Sequence, residues 1–202
     1  MSFDINDIKS QLQYGGARNT LFQVNLVNMG SHVADFKSQF MIRASSIPAA
    51  SLGNISVPYF GRKINLAGDR TYGNWSTTII NDEDFLVRNA MEQWSNSINT
   101  FQGNIRAYYT ARPLEYKSDA TVVQYGKKGN IIREYIFHGI YPTEVSNIEL
   151  DWNATDRIEE FSVTFMYDYW EVQGITGDAG GPDMQAGGVG TLGTVTFDAL
   201  GL

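Results

Sequence analysis

The chain contains no cysteine. That excludes disulfides and thiolate chemistry and fits assembly in a reducing compartment. No segment approaches the roughly 20 consecutive apolar residues that span a bilayer, so no membrane partner is expected. The opening residues, MSFDINDIKSQ, have neither a basic n-region nor an apolar core, which predicts no secretory signal. Without secretion, the sequons at Asn54, Asn74 and Asn153 carry no information. Bases number 15 against 22 acids, and the pI is near 4.8. Phosphate binding needs a basic patch, so general adhesion to nucleic acid is not expected.

Signatures of catalysis are missing as well. The two histidines, His32 and His138, stand far apart with no cysteine and no HxxxH spacing, which predicts no metal site. No GxSxG elbow occurs, and no Walker lysine follows a glycine loop. Gly188-Val189-Gly190-Thr191-Leu192-Gly193 matches GxGxxG, but only nine residues follow it, too few for the βαβ unit that motif requires. Glu159 and Glu160 are adjacent, and neighbouring strand residues face opposite sides of a sheet, so they cannot share a substrate. An enzyme is the remotest class, and no cofactor is expected.

What is present favours a sheet. Eleven Tyr, eleven Phe and many Thr, Val and Ile point to a mainly β fold, and 202 residues suffice for one well-cored domain. The stretch Tyr141 to Glu171 organises the rest. Phe161, Val163, Phe165, Tyr167 and Tyr169 share one face of a period-two pattern, opposite Glu160, Ser162, Thr164 and Asp168. Upstream, Ile148, Leu150 and Trp152 alternate with Asn147, Glu149 and Asp151, and the Asx-rich run 153–157 reads as the turn of a long antiparallel hairpin. Between Glu144 and Glu171 there are eight acids and one base, a net charge of -7 equal to that of the whole chain. Such a face is either an ordinary solvated surface or one that repels polyanions.

Along the chain, residues 1–20 read as an arm with a weak helical pattern, 21–172 as the domain, and 173–202 as a glycine-rich tail that cannot bury much surface. Leu21 to Met29 reads as a strand, with Phe36 to Ala44 as its partner. Ile47 to Asn74 lacks clean periodicity and reads as an extended excursion with short strands at Ile55–Val57 and Lys63–Leu66. Its aromatics (Tyr59, Phe60, Tyr72) lie beside Arg62, Lys63 and Arg70, a mixture suited to a protein interface. Trp75 to Ile80 is a strand. Asp82 to about Asn96 is a helix, with Asn81 as N-cap and acids in its first turn. Leu86, Val87, Ala90, Met91, Trp94 and Ile98 form its apolar stripe, which reads as core. Arg112-Pro113 rules out a continued helix in the connector 99–118. Ala120–Tyr125 and Ile131–His138 pair as a hairpin around residues 126–130.

Several blocks of residues carry a resemblance. RKINLAGDRTYGNW (Arg62–Trp75), TIINDED (Thr78–Asp84), LEYKSDATVVQYG (Leu114–Gly126), GIYPTEVSNIELDW and FSVTFMYDYWE occur in collinear order over Leu21–Glu171. They resemble the tail tube protein family of T4-like contractile-tailed bacteriophages. That resemblance implies an antiparallel β-sandwich or barrel-like tube fold with one flanking α-helix and a long extended loop. It implies hexameric rings stacked into a hollow tube inside a contractile sheath, a virion tail component assembled in the host cytoplasm. The implied partners are further copies of itself, the sheath protein, a baseplate tube initiator, a tail terminator and a tape measure protein in the lumen, with DNA passing without specific binding. The excursion would contact the neighbouring ring through Tyr59, Phe60, Arg62, Lys63 and Arg70. Glu149, Asp151, Glu160 and Asp168 would face the lumen, where their charge repels phosphate. A baseplate tube initiator or the inner tube of a related injection or secretion system shares this fold. A carbohydrate-binding β-sandwich is the reading from another class, suggested by the many Trp and Tyr.

Overall fold

The computed structural model describes residues 5–12, 16–27, 32–106 and 112–173. The elements run α1 (Ile5–Gln11), β1 (Phe22–Leu26), α2 (His32–Met41), β2 (Ile42–Ser45), β3 (Ala50–Tyr59), β4 (Arg62–Tyr72), β5 (Trp75–Ile80), α3 (Leu86–Ile98), α4 (Pro113–Tyr116), β6 (Ser118–Tyr125), β7 (Ile131–Val145), β8 (Glu160–Met166) and β9 (Tyr169–Gln173). The main sheet is antiparallel, in the order β1-β6-β7-β8-β5-β2, with β9 also paired to β7. It is not closed into a barrel; it folds over itself as a sandwich.

Strand β7 makes the fold-over possible. Its first part pairs with β6 and β9, and its last part, Tyr141–Val145, pairs with β8. The changeover lies at Gly139, whose φ of 68° is open to glycine and strained for other residues. The facing segment bends at the same level. β8 ends at Met166, the corner residue Asp168 donates its N–H to the His138 carbonyl at 2.9 Å, and β9 begins at Tyr169. The alternation expected through Tyr169 therefore holds for Phe161, Val163 and Phe165, which are buried, and breaks at the corner, leaving Tyr169 exposed.

Between the two layers sits an aromatic core. Trp75 of β5 stacks on Phe137 of β7, Phe165 of β8 packs against Trp75, and Trp94 of α3 reaches Phe165. Val87, Ala90, Met91 and Trp94 are buried and Leu86 is half-buried, so this stripe of α3 faces the core. Each larger side chain contributes about 1.5–3 kcal/mol when fully buried. Trp94 Nε1 also donates to the Tyr116 carbonyl at 2.7 Å, tying α3 to α4.

Four local readings change. Phe36–Met41 is helical rather than strand: Ala34 and Ser38 repeat at a spacing of four on the buried side of α2, and only Ile42–Ser45 continues as a strand, paired with β5. β1 is shorter than Leu21–Met29 and pairs with β6. Helix α3 begins at Leu86, not Asp82. Asn81 is buried and donates its amide to the Glu159 carboxylate, so it caps nothing. The first arm of the expected acidic hairpin is Tyr141–Val145; residues 146–159 form a long loop in which Leu150 and Trp152 stand exposed. The glycine-rich tail and its GxGxxG lie outside the described residues.

Candidate assembly surfaces

The excursion between β2 and β5 is one continuous hairpin. β3 and β4 form a separate two-stranded sheet, joined by Phe60-Gly61 with φ of 41° and 78°. Two successive positive φ values make a type I′ turn, whose twist matches that of the strands it joins. The register places Ile55 opposite Leu66, Val57 opposite Ile64 and Tyr59 opposite Arg62 on one face. Ser56–Asn65 and Pro58–Lys63 lie on the other. The first face is thus apolar, and all four aliphatic side chains on it are exposed. A register shift between Leu52 and Asn54, where Gly53 and Gly68 approach closely, separates the distal arm from its base.

Of the five residues expected at an interface, Tyr59, Phe60, Arg62 and Lys63 come together at the tip. The Tyr59 and Phe60 rings meet edge to face at 4.7 Å, and Phe60 is 92% exposed. Arg70 sits apart, opposite Leu52 and beyond the register shift. At the base, Tyr72 packs on Tyr167 and Trp170, and the Tyr167 hydroxyl donates to the Gly73 carbonyl at 2.6 Å. Burial, followed by the neighbouring Tyr72, pushes the Tyr167 pKa up to about 12. The arm is anchored at its root and projects beyond it.

The acids expected on one face divide into two kinds. Glu160 forms an ion pair with Arg43, and Asp168 with Lys117 at 2.5 Å. Glu149 and Asp151 sit on the exposed loop, where Asp151 Oδ1 accepts the Asn153 N–H at 2.9 Å.

Sequence reasoning missed a further surface on α2. Val33, Phe36 and Phe40 form an exposed stripe, with the two phenylalanine rings edge to face at 5.4 Å. Lys37, one residue from Phe36, pairs with both Asp82 and Asp84. The hydrogen bonds from Lys37 come first among the causes that hold both carboxyls below their usual range. A spacing of 3 and 4 among Val33, Phe36 and Phe40 was the available signal. The hairpin's apolar face was also signalled, by alternation of Ile55, Val57 and Tyr59.

Among the described residues, β1, β2 and β9 each pair on one side only. Open strand edges and an unpacked arm are what a subunit of a larger array carries. The model of the phage tail tube protein family matches residues 8–173. The chain belongs to that family. It is 36% identical to the tail tube protein gp19 of Enterobacteria phage T4 over 169 residues, covering 83% of this chain and 99% of that one. Solved structures agree at the level of fold. A chain in the anti-feeding prophage cap superposes with a TM-score of 0.60 at 17% identity, covering 79% of this chain and 92% of that chain. A chain in the sheath-tube complex of the PVC extracellular contractile injection system gives 0.56 at 17% identity, covering 86% and 100%. The protein is a structural tail tube component of a contractile-tailed phage virion, and the mainly β, sandwich-like fold expected from its sequence is the fold observed, with α2 packed beside α3 as a second helix.

Proposed function

We propose that copies of this tail tube protein close into six-membered rings, which stack into the hollow conduit for DNA inside a contractile sheath. The observation that carries this reading is the hairpin β3–β4, which projects from its root with an apolar face and a basic, aromatic tip exposed. Exposed apolar patches of this kind mark interaction sites. A head-to-tail contact between different patches closes into a ring or continues as an open stack, depending on its rotation. Six-fold closure and the ring-to-ring role of Tyr59, Phe60, Arg62, Lys63 and Arg70 follow from the family resemblance. So do the partners at the ends and in the lumen: tube initiator, terminator and tape measure protein. The tube is assembled in the host cytoplasm and ends in the virion tail.

Negative-stain electron microscopy with light scattering on concentrated protein tests the reading, with tail particles from infected cells imaged in parallel. Rings or hollow tubes are expected. Arg62→Glu with Arg70→Glu should keep the circular dichroism of the folded domain and weaken stacking. Loss of secondary structure in that variant would assign these residues to folding instead, and tails lacking the protein would sink the reading.

A further inference from the structure

Two unpartnered apolar surfaces on one chain match each other. The stripe Val33–Phe36–Phe40 rises about 10 Å along the helix axis at 1.5 Å per residue. On the hairpin, the rungs Ile55/Leu66 and Val57/Ile64 are about 7 Å apart at roughly 3.4 Å per residue. Both are patches of a few large side chains that range in exposure from Val57 at 41% to Phe36 at 66%.

Their flanks carry opposite charge. The hairpin 50–72 holds three bases, Arg62, Lys63 and Arg70, and one acid, Asp69. Beside the helix stripe, Asp82 and Asp84 are held next to α2 by Lys37, and Glu83 lies exposed between them, leaving an acidic excess. α2 itself packs on β1, β2, β5 and α3 in its own chain, and its stripe points away from them. The same hairpin leaves its own apolar side chains exposed, so its face is not seated on α2 of the same copy.

We propose that the β3–β4 hairpin of one copy lays its apolar face on the Val33–Phe36–Phe40 stripe of another copy, with its basic tip against the Asp82–Asp84 acids. The inference rests on the tube reading and gives its ring-to-ring contact a receiving site. Two different patches meet, so the contact is heterologous and can repeat without limit along a stack. Apolar burial supplies the attraction, and charge complementarity selects the register and speeds encounter. Removal of either patch should therefore abolish stacking, whereas salt should slow it.

The absence of cysteine makes the test clean. Val57→Cys with Phe36→Cys, and Ile64→Cys with Phe40→Cys, are introduced into the full chain. Assembled tubes or tails are treated with a short bismaleimide and run on a denaturing gel. Each pair is expected to give a ladder of covalent multimers that neither single variant gives. Tubes that form normally yet yield no ladder with either pair would overturn the docking while sparing the tube reading, whether Phe40→Cys stays unlinked or links instead to Ile8→Cys of α1. Linkage of Phe40→Cys only to a different tail protein would overturn it as well. If the cysteine pairs disturb stacking, Phe36→Ser and Val57→Ser decide: both must block stacking while leaving the domain folded, and normal stacking by either variant counts against the contact. A parent chain found in no tube would sink the tube reading and this one with it.

Discussion

The rings of Trp75 and Phe137 lie face to face, their centroids 4.5 Å apart and their planes 6° from parallel. Trp75 belongs to the layer of β5 and β8, Phe137 to the layer of β6 and β9, so this one contact joins the halves of the sandwich. Both rings are fully buried. Trp75 Nε1 also donates to Ser45 Oγ at 3.0 Å, which satisfies its polar atom at the rim of the core. Phe165 and Tyr167 pack around the pair, extending the aromatic contact towards the hairpin root.

Phe137→Ala should therefore cost about 3–5 kcal/mol, the range for large aromatic truncations in a packed core. Phe137→Leu, which keeps most of the volume, should cost clearly less. Denaturant unfolding of the unassembled subunit checks both, because assembly would itself add stability by mass action. Equal losses for the two variants would mean that volume is not what the site provides.

Gly139 gives a second prediction. A Cβ at this position would collide with Asp168 Oδ2, and the backbone there has φ of 68°. Gly139→Ala should destabilise the subunit by about 1–3 kcal/mol, the scale of strain at an unfavourable backbone conformation. Asp168→Ala alone removes an exposed ion pair with Lys117, worth about 0–1 kcal/mol. The double variant should be less destabilised than the sum of the singles, because the side-chain clash is gone while the backbone strain stays. Strict additivity would mean that the clash contributes nothing.

The sandwich was legible where burial and periodicity coincide. The stripe of α3 and the alternation of Phe161, Val163 and Phe165 meet both conditions within one chain. The hairpin β3–β4 was harder to read because nearly every side chain on it is exposed in the subunit, so no polar face stands against a buried one. On α2 the usual relation is inverted: Ser38 is buried while Phe36 and Phe40 are exposed. A pattern search takes apolar residues to be core, and these stand outside it. Residues 147–152 alternate without a strand partner, and alternation alone does not supply one. The acids of that loop were read as one surface with Glu160 and Asp168, whose partners Arg43 and Lys117 come from distant parts of the chain. Asn81 was misread for a different reason: it is buried against Glu159 of a distant segment, a contact that local spacing does not show.

Tyr167 ties the hairpin root to the core and predicts an alkaline limit. Its folded-state pKa, about 12, lies above the ordinary tyrosine value of 10.0, because burial disfavours the phenolate. The stabilisation is fully present below pH 10 and is lost as pH rises from 10 through 12, where the unfolded chain releases the proton first. The hydroxyl also donates to the Gly73 carbonyl. Tyr167→Phe should lower stability at neutral pH by about 0.5–1.5 kcal/mol, the net worth of one hydrogen bond. The same variant should flatten the alkaline decline. Tyrosinate absorbance followed alongside circular dichroism checks this, and an unchanged alkaline slope would place the sensitivity elsewhere.

The lumen reading is best tested at Glu149 and Asp151. Reversing Glu160 or Asp168 would leave Arg43 or Lys117 facing a like charge, so any defect would mix lost stability with altered lumen potential. Glu149 and Asp151 sit on the exposed 146–159 loop, where the exchange removes only the local hydrogen bonds that Asp151 Oδ1 accepts from Asn153. Glu149→Lys with Asp151→Lys changes the charge of each subunit by +4, and a ring of copies multiplies that change. If these acids line the conduit, the variant replaces repulsion of DNA by attraction, and every phosphate that the new lysines neutralise makes binding more salt-dependent. Tails should still assemble, ejection should slow at low salt, and raising the ionic strength should restore its rate as the charges are screened. Ejection kinetics that match the parent virion at every salt concentration would place this loop away from the DNA path. A defect that salt does not relieve would point to a structural role for the loop instead.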